Sequence, residues 1–112
     1  IIFFKKQYID KILRGEKTQT RRLGKRIYRV GEIYQVSGGV KIQITKRWRE
    51  RLGDISESDL RKEGFETFEE FKREWEKIYG YWDSNEVVWV YEFRVVSRKD
   101  KVSLETKLQD YL

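Results

Sequence analysis

The chain has 112 residues, a net charge of +6, and neither histidine nor cysteine. That composition excludes zinc clusters, disulfides and Ser-His or Cys-His nucleophilic pairs, so any reactivity must come from Lys, Arg, Asp, Glu, Thr, Ser or Tyr. The length suits one domain spanning residues 1–112 around a single core. We therefore expect one module that needs neither a metal nor a cofactor.

The segment from Ile1 to Leu13 contains only short apolar runs interrupted by lysines. This pattern is typical neither of a secretory signal nor of a membrane-spanning helix. A cytoplasmic protein without a membrane partner, monomeric by default, is the expectation.

The first predicted elements are a short strand and a helix. Ile1 to Phe4 forms an apolar run that predicts a strand. Apolar residues then recur at helical spacing up to Gly15, which suits a left-handed C-terminal cap. These apolar residues are Tyr8, Ile9, Ile12 and Leu13.

Hydroxyl-bearing and long side chains predict an extended strand from Thr18 to Leu23, ended by Gly24. Side chains alternate between the two faces of a strand. Thr20 and Arg22 are therefore expected to face the same way.

A β-hairpin is predicted in the middle of the chain. Its strands are Ile33 to Val36 and Val40 to Trp48, joined at Gly38-Gly39. In the second strand apolar residues alternate with polar ones, as a half-buried strand requires.

Two helices follow, each with a capping signal. Ser56 precedes a short helix that ends at Gly64, and Thr67, with Glu70 three residues later, precedes a longer one that ends at Gly80. The longer helix carries an apolar stripe that we interpret as core. The stripe consists of Phe68, Phe71, Trp75 and Ile78.

Val87 to Val96 predicts the longest strand, placed centrally in the sheet, and Leu104, Leu108 and Tyr111 indicate a weak terminal helix. Strands and helices occur without regular βαβ alternation. The predicted fold is α+β, a small, mainly antiparallel β-barrel with two or three flanking helices.

Positive charge is concentrated in the first half of the chain. Residues 1–52 hold 15 Lys and Arg against 4 Asp and Glu, a net +11, whereas residues 53–112 hold 10 against 15, a net −5. Clustered cations attract polyanions. Two clusters are interpreted as the rim of a nucleic-acid site, with a solvated face as the alternative. The rim residues are Lys25, Arg26, Lys46, Arg47, Trp48 and Arg49.

Trp48 has two interpretations. Among arginines, an exposed indole can stack on a base. A strand-end core position is the alternative that we favour for this residue.

The candidate site is the segment from Gly15 to Arg22, which places cationic and hydroxyl groups just after a helix-ending glycine. Such groups suit an anionic or nucleotide-like ligand. The candidate ligand-binding residues are Gly15, Lys17, Thr20, Arg21 and Arg22.

This segment resembles the ASCH domain family, a PUA-like group whose signature is Gly-x-Lys-x-x-Glu-x-Arg. Gly15, Lys17 and Arg22 match the signature, and Thr20 stands where the family usually has Glu. The order of elements along most of the chain is also similar to the family's. The resemblance implies a PUA-like β-barrel with a cleft beside the motif that binds RNA or a nucleotide.

With Thr at that position, the chain resembles a bacterial subfamily, similar to ASCH proteins, that hydrolyses the amide of N(4)-acetylcytidine. The resemblance then implies catalytic roles for Lys17 and Thr20, with Glu63 as the best match for a downstream Glu. Thr20 would attack the amide, Lys17 or Glu63 would take its proton, and Arg22 would stabilise the oxyanion. Lys17 can act as a base only if burial or nearby cations lower its pKa.

Each residue also has a purely structural interpretation. Gly15 is a helix cap in either case, Thr20 suits a strand, and Glu63 suits the end of a short helix. In its structural interpretation, Arg22 forms an ion pair with Glu63 or Glu92. The sequence thus predicts an RNA- or nucleotide-binding domain, with a small amidohydrolase as the alternative.

Overall fold

The computed structural model describes residues 1–36 and 39–98. Within these ranges the chain forms three α-helices, four strands and one 3-10 turn. In chain order they are α1 (Lys6–Leu13), β1 (Gln19–Arg22), β2 (Ile33–Val36), β3 (Val40–Arg51), the 3-10 turn (Leu52–Asp54), α2 (Glu57–Glu63), α3 (Phe68–Tyr79) and β4 (Val87–Ser97).

The four strands form one antiparallel sheet in the order β1-β4-β3-β2. The long strands β3 and β4 lie centrally, and the short strands β1 and β2 form the two edges. The sheet curls into a half-barrel, and the predicted α+β class with a small, mainly antiparallel sheet and flanking helices is confirmed. The central position predicted for the strand that became β4 and the predicted β2–β3 hairpin are confirmed as well.

The two faces of the sheet carry different cores. We call the face that carries Thr20 and Tyr91 the front and the face that carries Arg21 and Val90 the back. The front packs against α1, and its buried residues are Ile2, Ile9, Ile12, Tyr28, Val36, Val40, Ile42, Ile44, Tyr91 and Phe93. A second cluster joins α2 and α3 to the start of β4, and its buried residues are Leu52, Leu60, Phe71, Trp75 and Val88.

A β-bulge interrupts β3. Ile44 pairs with Phe93, but Lys46 pairs with Glu92, so Thr45 is an extra residue on this strand. An extra residue reverses the facing of every side chain that follows it. Lys46 consequently faces the back, although Ile44, two residues earlier, faces the front.

The predicted strand from Ile1 to Phe4 is wrong in extent. Ile2 alone makes a bridge, parallel to Val36, with its amide donating to the Gln35 carbonyl at 2.8 Å. The chain turns into α1 at Lys6, which leaves no length for a longer strand.

The predicted apolar stripe of α3 is correct at its centre and wrong at its ends. Phe71 and Trp75 are buried, whereas Phe68 and Ile78 are 36% and 51% exposed. The Phe68 and Trp82 rings lie edge to face, with their centroids 5.5 Å apart. The terminal helix predicted around Leu104, Leu108 and Tyr111 lies outside the described residues.

Both capping predictions are confirmed. Ser56 Oγ accepts a hydrogen bond from the Asp59 amide at 3.1 Å, and Thr67 Oγ1 accepts one from the Glu70 amide at 3.2 Å. Gly64 ends α2 with a φ of +100°, a left-handed conformation that favours glycine. These caps fix where α2 begins and ends and where α3 begins.

Candidate functional site

A cavity of about 370 Å³ opens beside the free edge of β1. It lies between the N-terminal part of the chain on one side and α2 with α3 on the other. The residues that line it are Phe3, Phe4, Lys5, Tyr8, Lys17, Thr20, Arg21, Arg22, Glu63, Phe65, Phe71, Glu74, Trp75, Ile78 and Tyr79.

The position of β1 explains why the motif reaches this cavity. Side chains alternate along the strand, so Thr20 and Arg22 face the front and Arg21 faces the back. Because β1 is an edge strand, both faces adjoin the cavity, and all three residues line it. Gly15 does not line the cavity, and with a φ of +76° it serves as a turn residue after α1.

Lys17 is buried inside the cavity wall, with 5% of its surface exposed. Its Nζ donates to the Glu63 carbonyl at 2.7 Å and to Glu63 Oε1 at 3.2 Å, and it lies over the ring of Tyr8 at 5.3 Å. Burial lowers the pKa of Lys17 below its usual value; Glu63 opposes this shift, and the charges of Arg22 and Arg21 add to it. The lysine therefore gives up its proton more readily than an exposed one.

Arg21 is the centre of a buried charge network. Its guanidinium donates to Glu63 Oε2 at 2.9 Å and to Glu50 Oε2 at 2.7 Å, and it lies 3.5 Å from Asp59 Oδ2. It also donates to Gln19 Oε1 at 2.9 Å. Three carboxylates thus hold one cation between β1, β3 and α2.

The alternative pairing of Arg22 with Glu63 or Glu92 is wrong. Glu63 pairs with Arg21 and Lys17, and Glu92 accepts from Gln19 Nε2 at 2.8 Å. Arg22 faces the front, away from these carboxylates, because it alternates with Arg21 along β1.

Arg22 makes no ion pair within the described part of the chain. Its Nε donates to Thr20 Oγ1 at 3.0 Å, and its terminal nitrogen donates to the Phe3 carbonyl at 2.7 Å. The guanidinium also lies over the Phe4 ring at 4.6 Å. These contacts fix its position at the cavity and leave its charge without a counterion.

Lys17, Thr20, Arg22 and Glu63 all line the one cavity. Lys17 and Glu63 are bonded to each other, and Thr20 is bonded to Arg22. The residues assigned catalytic roles on the resemblance therefore form two neighbouring pairs in one cavity wall.

A ladder of cations and one indole leads from the cavity across the front face. Arg22 pairs with Trp89 across β1 and β4, and Trp89 pairs with Arg49 across β4 and β3. The guanidinium groups of Arg47 and Arg49 lie over the Trp89 ring at 4.9 and 4.7 Å. We call Arg22, Trp89, Arg47 and Arg49 the basic ladder.

The other predicted rim residues lie elsewhere. Lys46 and Trp48 face the back and contact each other, with Lys46 Nζ 5.1 Å from the indole centroid. Trp48 is half-buried and belongs to neither core cluster of the described residues. Lys25 and Arg26 are exposed in the loop after β1.

The aromatic wall of the cavity was not predicted from the sequence. Phe4, Tyr8, Trp75 and Tyr79 line it, and the Trp75 and Tyr79 rings lie 4.3 Å apart. Trp75 was assigned to the core alone, yet it belongs to both. A usable signal was present, since the N-terminal segment, α1 and α3 all carry aromatic residues.

Two classes of feature are not found in residues 1–36 and 39–98. These residues contain no group of three or more acidic side chains placed to hold a metal ion. None of the helices in that part is long and apolar enough to cross a membrane.

No family model and no curated protein matches the chain, but solved structures do. An ASCH domain from Lactobacillus crispatus JV V101 is 22% identical with a TM-score of 0.57, covering 77% of this chain and 68% of that one. A DUF984 protein from Enterococcus faecalis V583 is 21% identical with a TM-score of 0.65, covering 80% and 67%. The hypothetical protein PH0355 is 18% identical with a TM-score of 0.68, covering 84% and 95%. The resemblance that the motif indicated is thus supported by the fold, which is similar to that of a solved ASCH domain.

Proposed function

We propose that this protein binds single-stranded RNA and takes one base into the cavity beside β1. The observation that carries the proposal is the junction of an aromatic-lined cavity with the basic ladder at Arg22. RNA recognition commonly combines an unstacked base on aromatic side chains with cations along the backbone.

The cavity suits a base. Its volume of about 370 Å³ lies in the range of small-ligand sites, and aromatic side chains form much of its wall. Lys17, Thr20 and Glu63 add a few polar groups that can orient a heterocycle. A base is flat and apolar on its faces and polar at its edge, which matches this lining.

The basic ladder suits the phosphates that flank such a base. Arg22 has no carboxylate partner among the described residues, and Arg49 is exposed on the same face. Neighbouring strands lie about 4.8 Å apart, so the step from Arg22 across β4 to Arg49 spans roughly 10 Å. Adjacent phosphates of one strand fall within that distance.

The test is a salt titration of RNA binding. A short single-stranded oligonucleotide is titrated with the protein by fluorescence anisotropy at increasing salt. We expect affinity to fall steeply with salt, because each neutralised phosphate releases counterions. A flat salt profile would contradict the proposal.

A matched pair of variants tests which face of the sheet binds the RNA. Arg49→Gln removes a cation of the ladder and should reduce the salt slope by about one. Lys46→Gln removes the same charge from the same strand on the back face and should leave binding unchanged. Equal effects of the two changes would place the RNA elsewhere.

The buried position of Lys17 favours a second candidate function, the hydrolysis of an acylated cytidine. A lysine acts as a base when burial lowers its pKa, and Lys17 lies with Thr20 in one cavity wall. In this reaction Thr20 Oγ1 attacks the amide carbonyl while Lys17 Nζ accepts the hydroxyl proton. The proton then passes to the departing amine, and water hydrolyses the acyl-Thr20 ester to a carboxylic acid and the free hydroxyl.

The second candidate is tested by incubating the protein with N(4)-acetylcytidine and measuring free cytidine. We expect Thr20→Val, which keeps the shape of the side chain and removes its hydroxyl, to abolish release. Lys46→Gln serves as the control that leaves turnover intact. Turnover that survives Thr20→Val would eliminate the mechanism.

A further inference from the structure

An exposed phenyl ring lies at the opening of the cavity. Phe3 lines the cavity and is 67% exposed, the highest value among the large apolar side chains of the described residues. The next residue, Phe4, also lines the cavity, but its ring packs against the front core, 5.9 Å from the Phe93 ring. Phe3 belongs to neither core cluster of the described residues. Of the two neighbouring rings, one therefore serves the fold and the other faces water.

The position of Phe3 distinguishes it from an ordinary exposed side chain. Single exposed apolar side chains are common on protein surfaces and need no explanation. Phe3, however, lies at the edge of a cavity whose wall is already aromatic. Ile78, on α3, is also exposed and lines the same cavity. The apolar lining thus continues from the inside of the cavity onto its opening, as at a binding site.

Arg22 connects the exposed ring to the proposed RNA path. Its terminal nitrogen donates to the Phe3 carbonyl at 2.7 Å, which holds the main chain of Phe3 against the guanidinium. Among the described residues, Arg22 is the one cation of the cavity without a carboxylate partner, since Lys5, Lys17 and Arg21 all have one. A phosphate bound by Arg22 would therefore lie between the cavity and Phe3.

We propose that Phe3 stacks on the base next to the one held in the cavity, with the phosphate between the two nucleotides bound by Arg22. The recognised unit is then a dinucleotide segment of RNA and not a single nucleotide. Every base has an aromatic face, so this stack adds affinity without adding sequence preference. This inference rests on the proposed binding of a base in the cavity, and it adds where the strand continues.

The experiment compares dinucleotides that carry two bases with dinucleotides that carry one. The unaltered protein is titrated by isothermal calorimetry with UpU and with ApA. It is also titrated with analogues in which hydrogen replaces either base, while both sugars and the phosphate stay. We expect each two-base ligand to bind at least about fivefold more tightly than the better of its single-base analogues, the lower end of a base–aromatic stack.

Variants of the ring identify the residue that stacks. Phe3→Ala should weaken binding of the two-base ligands by at least about fivefold and leave binding of the single-base analogues unchanged. Phe3→Trp keeps a flat aromatic face and should preserve the advantage of the second base. Tyr81→Ala is the matched control, because it removes an exposed aromatic side chain that does not line the cavity, and it should leave every affinity unchanged.

The outcomes separate the two proposals. If the single-base ligands bind and the second base adds no affinity, the role of Phe3 is wrong while base binding stands. The role is also wrong if the second base adds affinity that Phe3→Ala retains, because that base then lies elsewhere. If no ligand of either series binds, the proposed function fails and the inference fails with it. The first comparison uses only the unaltered protein, so it does not depend on the folding of a variant.

Discussion

Arg21 and Arg22 are neighbours on β1, yet they lie in two different environments. The Arg21 side chain is fully buried and held by three carboxylates, whereas Arg22 is bonded to a hydroxyl and a backbone carbonyl. The alternation of side chains along a strand separates them. The two arginines therefore have different roles. Arg21 holds the cavity wall together, and Arg22 presents its charge at the cavity.

Replacing Arg21 should have the largest effect on stability. Arg21→Ala leaves Glu50, Asp59 and Glu63 without their shared cation, and breaking a buried ion pair costs about 3–5 kcal/mol. Urea unfolding measures the change. A loss as small as that of an exposed ion pair would contradict the central position of Arg21 in the network.

The pH dependence of stability should report on Lys17. Its pKa in the folded protein lies below the usual 10.5 because the side chain is buried. Between the two values the unfolded chain binds more protons, so the stability of the protein relative to Lys17→Met should rise with pH, by at most about 1.4 kcal/mol per unit. Urea unfolding of both proteins, from neutral pH up to 10.5, measures the difference. A difference that stays constant would show that the folded-state pKa is not lowered.

Removing the cap of α2 should have a smaller effect. Ser56→Ala deletes the side chain that accepts from the Asp59 amide and should cost about 1 kcal/mol. Because α2 carries Asp59 and Glu63, this change loosens one side of the network without touching Arg21. Thr67→Ala, which removes the equivalent cap of α3, is the comparison for the same unfolding measurement.

Replacing Arg22 should have the smallest effect on stability and a large one on binding. Arg22 is half-buried and has no carboxylate partner among the described residues, so Arg22→Ala should change the free energy of unfolding by no more than about 1 kcal/mol. Its RNA affinity should nevertheless fall, with a shallower salt slope, in the anisotropy assay. An Arg22→Ala protein that unfolds as readily as Arg21→Ala would remove the distinction between the two arginines.

Much of the fold was predictable because its signals are local. The caps at Ser56 and Thr67, the β2–β3 hairpin and the long strand β4 follow from turn residues and periodicity. The stripe of α3 was predicted too wide, because a short helix packed along one line buries only its central residues, Phe71 and Trp75.

The partners within the site were less predictable. The carboxylates that hold Arg21 are 29 to 42 residues away in the chain, and the pairing of the sheet together with the packing of α2 against β1 brings them together. The alternation of side chains along β1 nevertheless indicated which arginine pairs with Glu63. If Thr20 and Arg22 face one way, Arg21 must face the other, and it was the arginine to pair with Glu63.

The extra residue Thr45 decides which cations of β3 lie on the front face of the sheet. If Thr45 paired as an ordinary strand residue, the alternation that puts Ile42 and Ile44 on the front would carry on to Lys46 and Trp48. Absorbing Thr45 into regular pairing would exchange the two sets of side chains without altering the charge of the protein, whereas deleting it would straighten the strand and leave Lys46 opposite Glu92. Relatives of this chain that lack the bulged residue should therefore keep the same side chains beside the cavity, whereas relatives of equal length that pair this strand without a bulge should not.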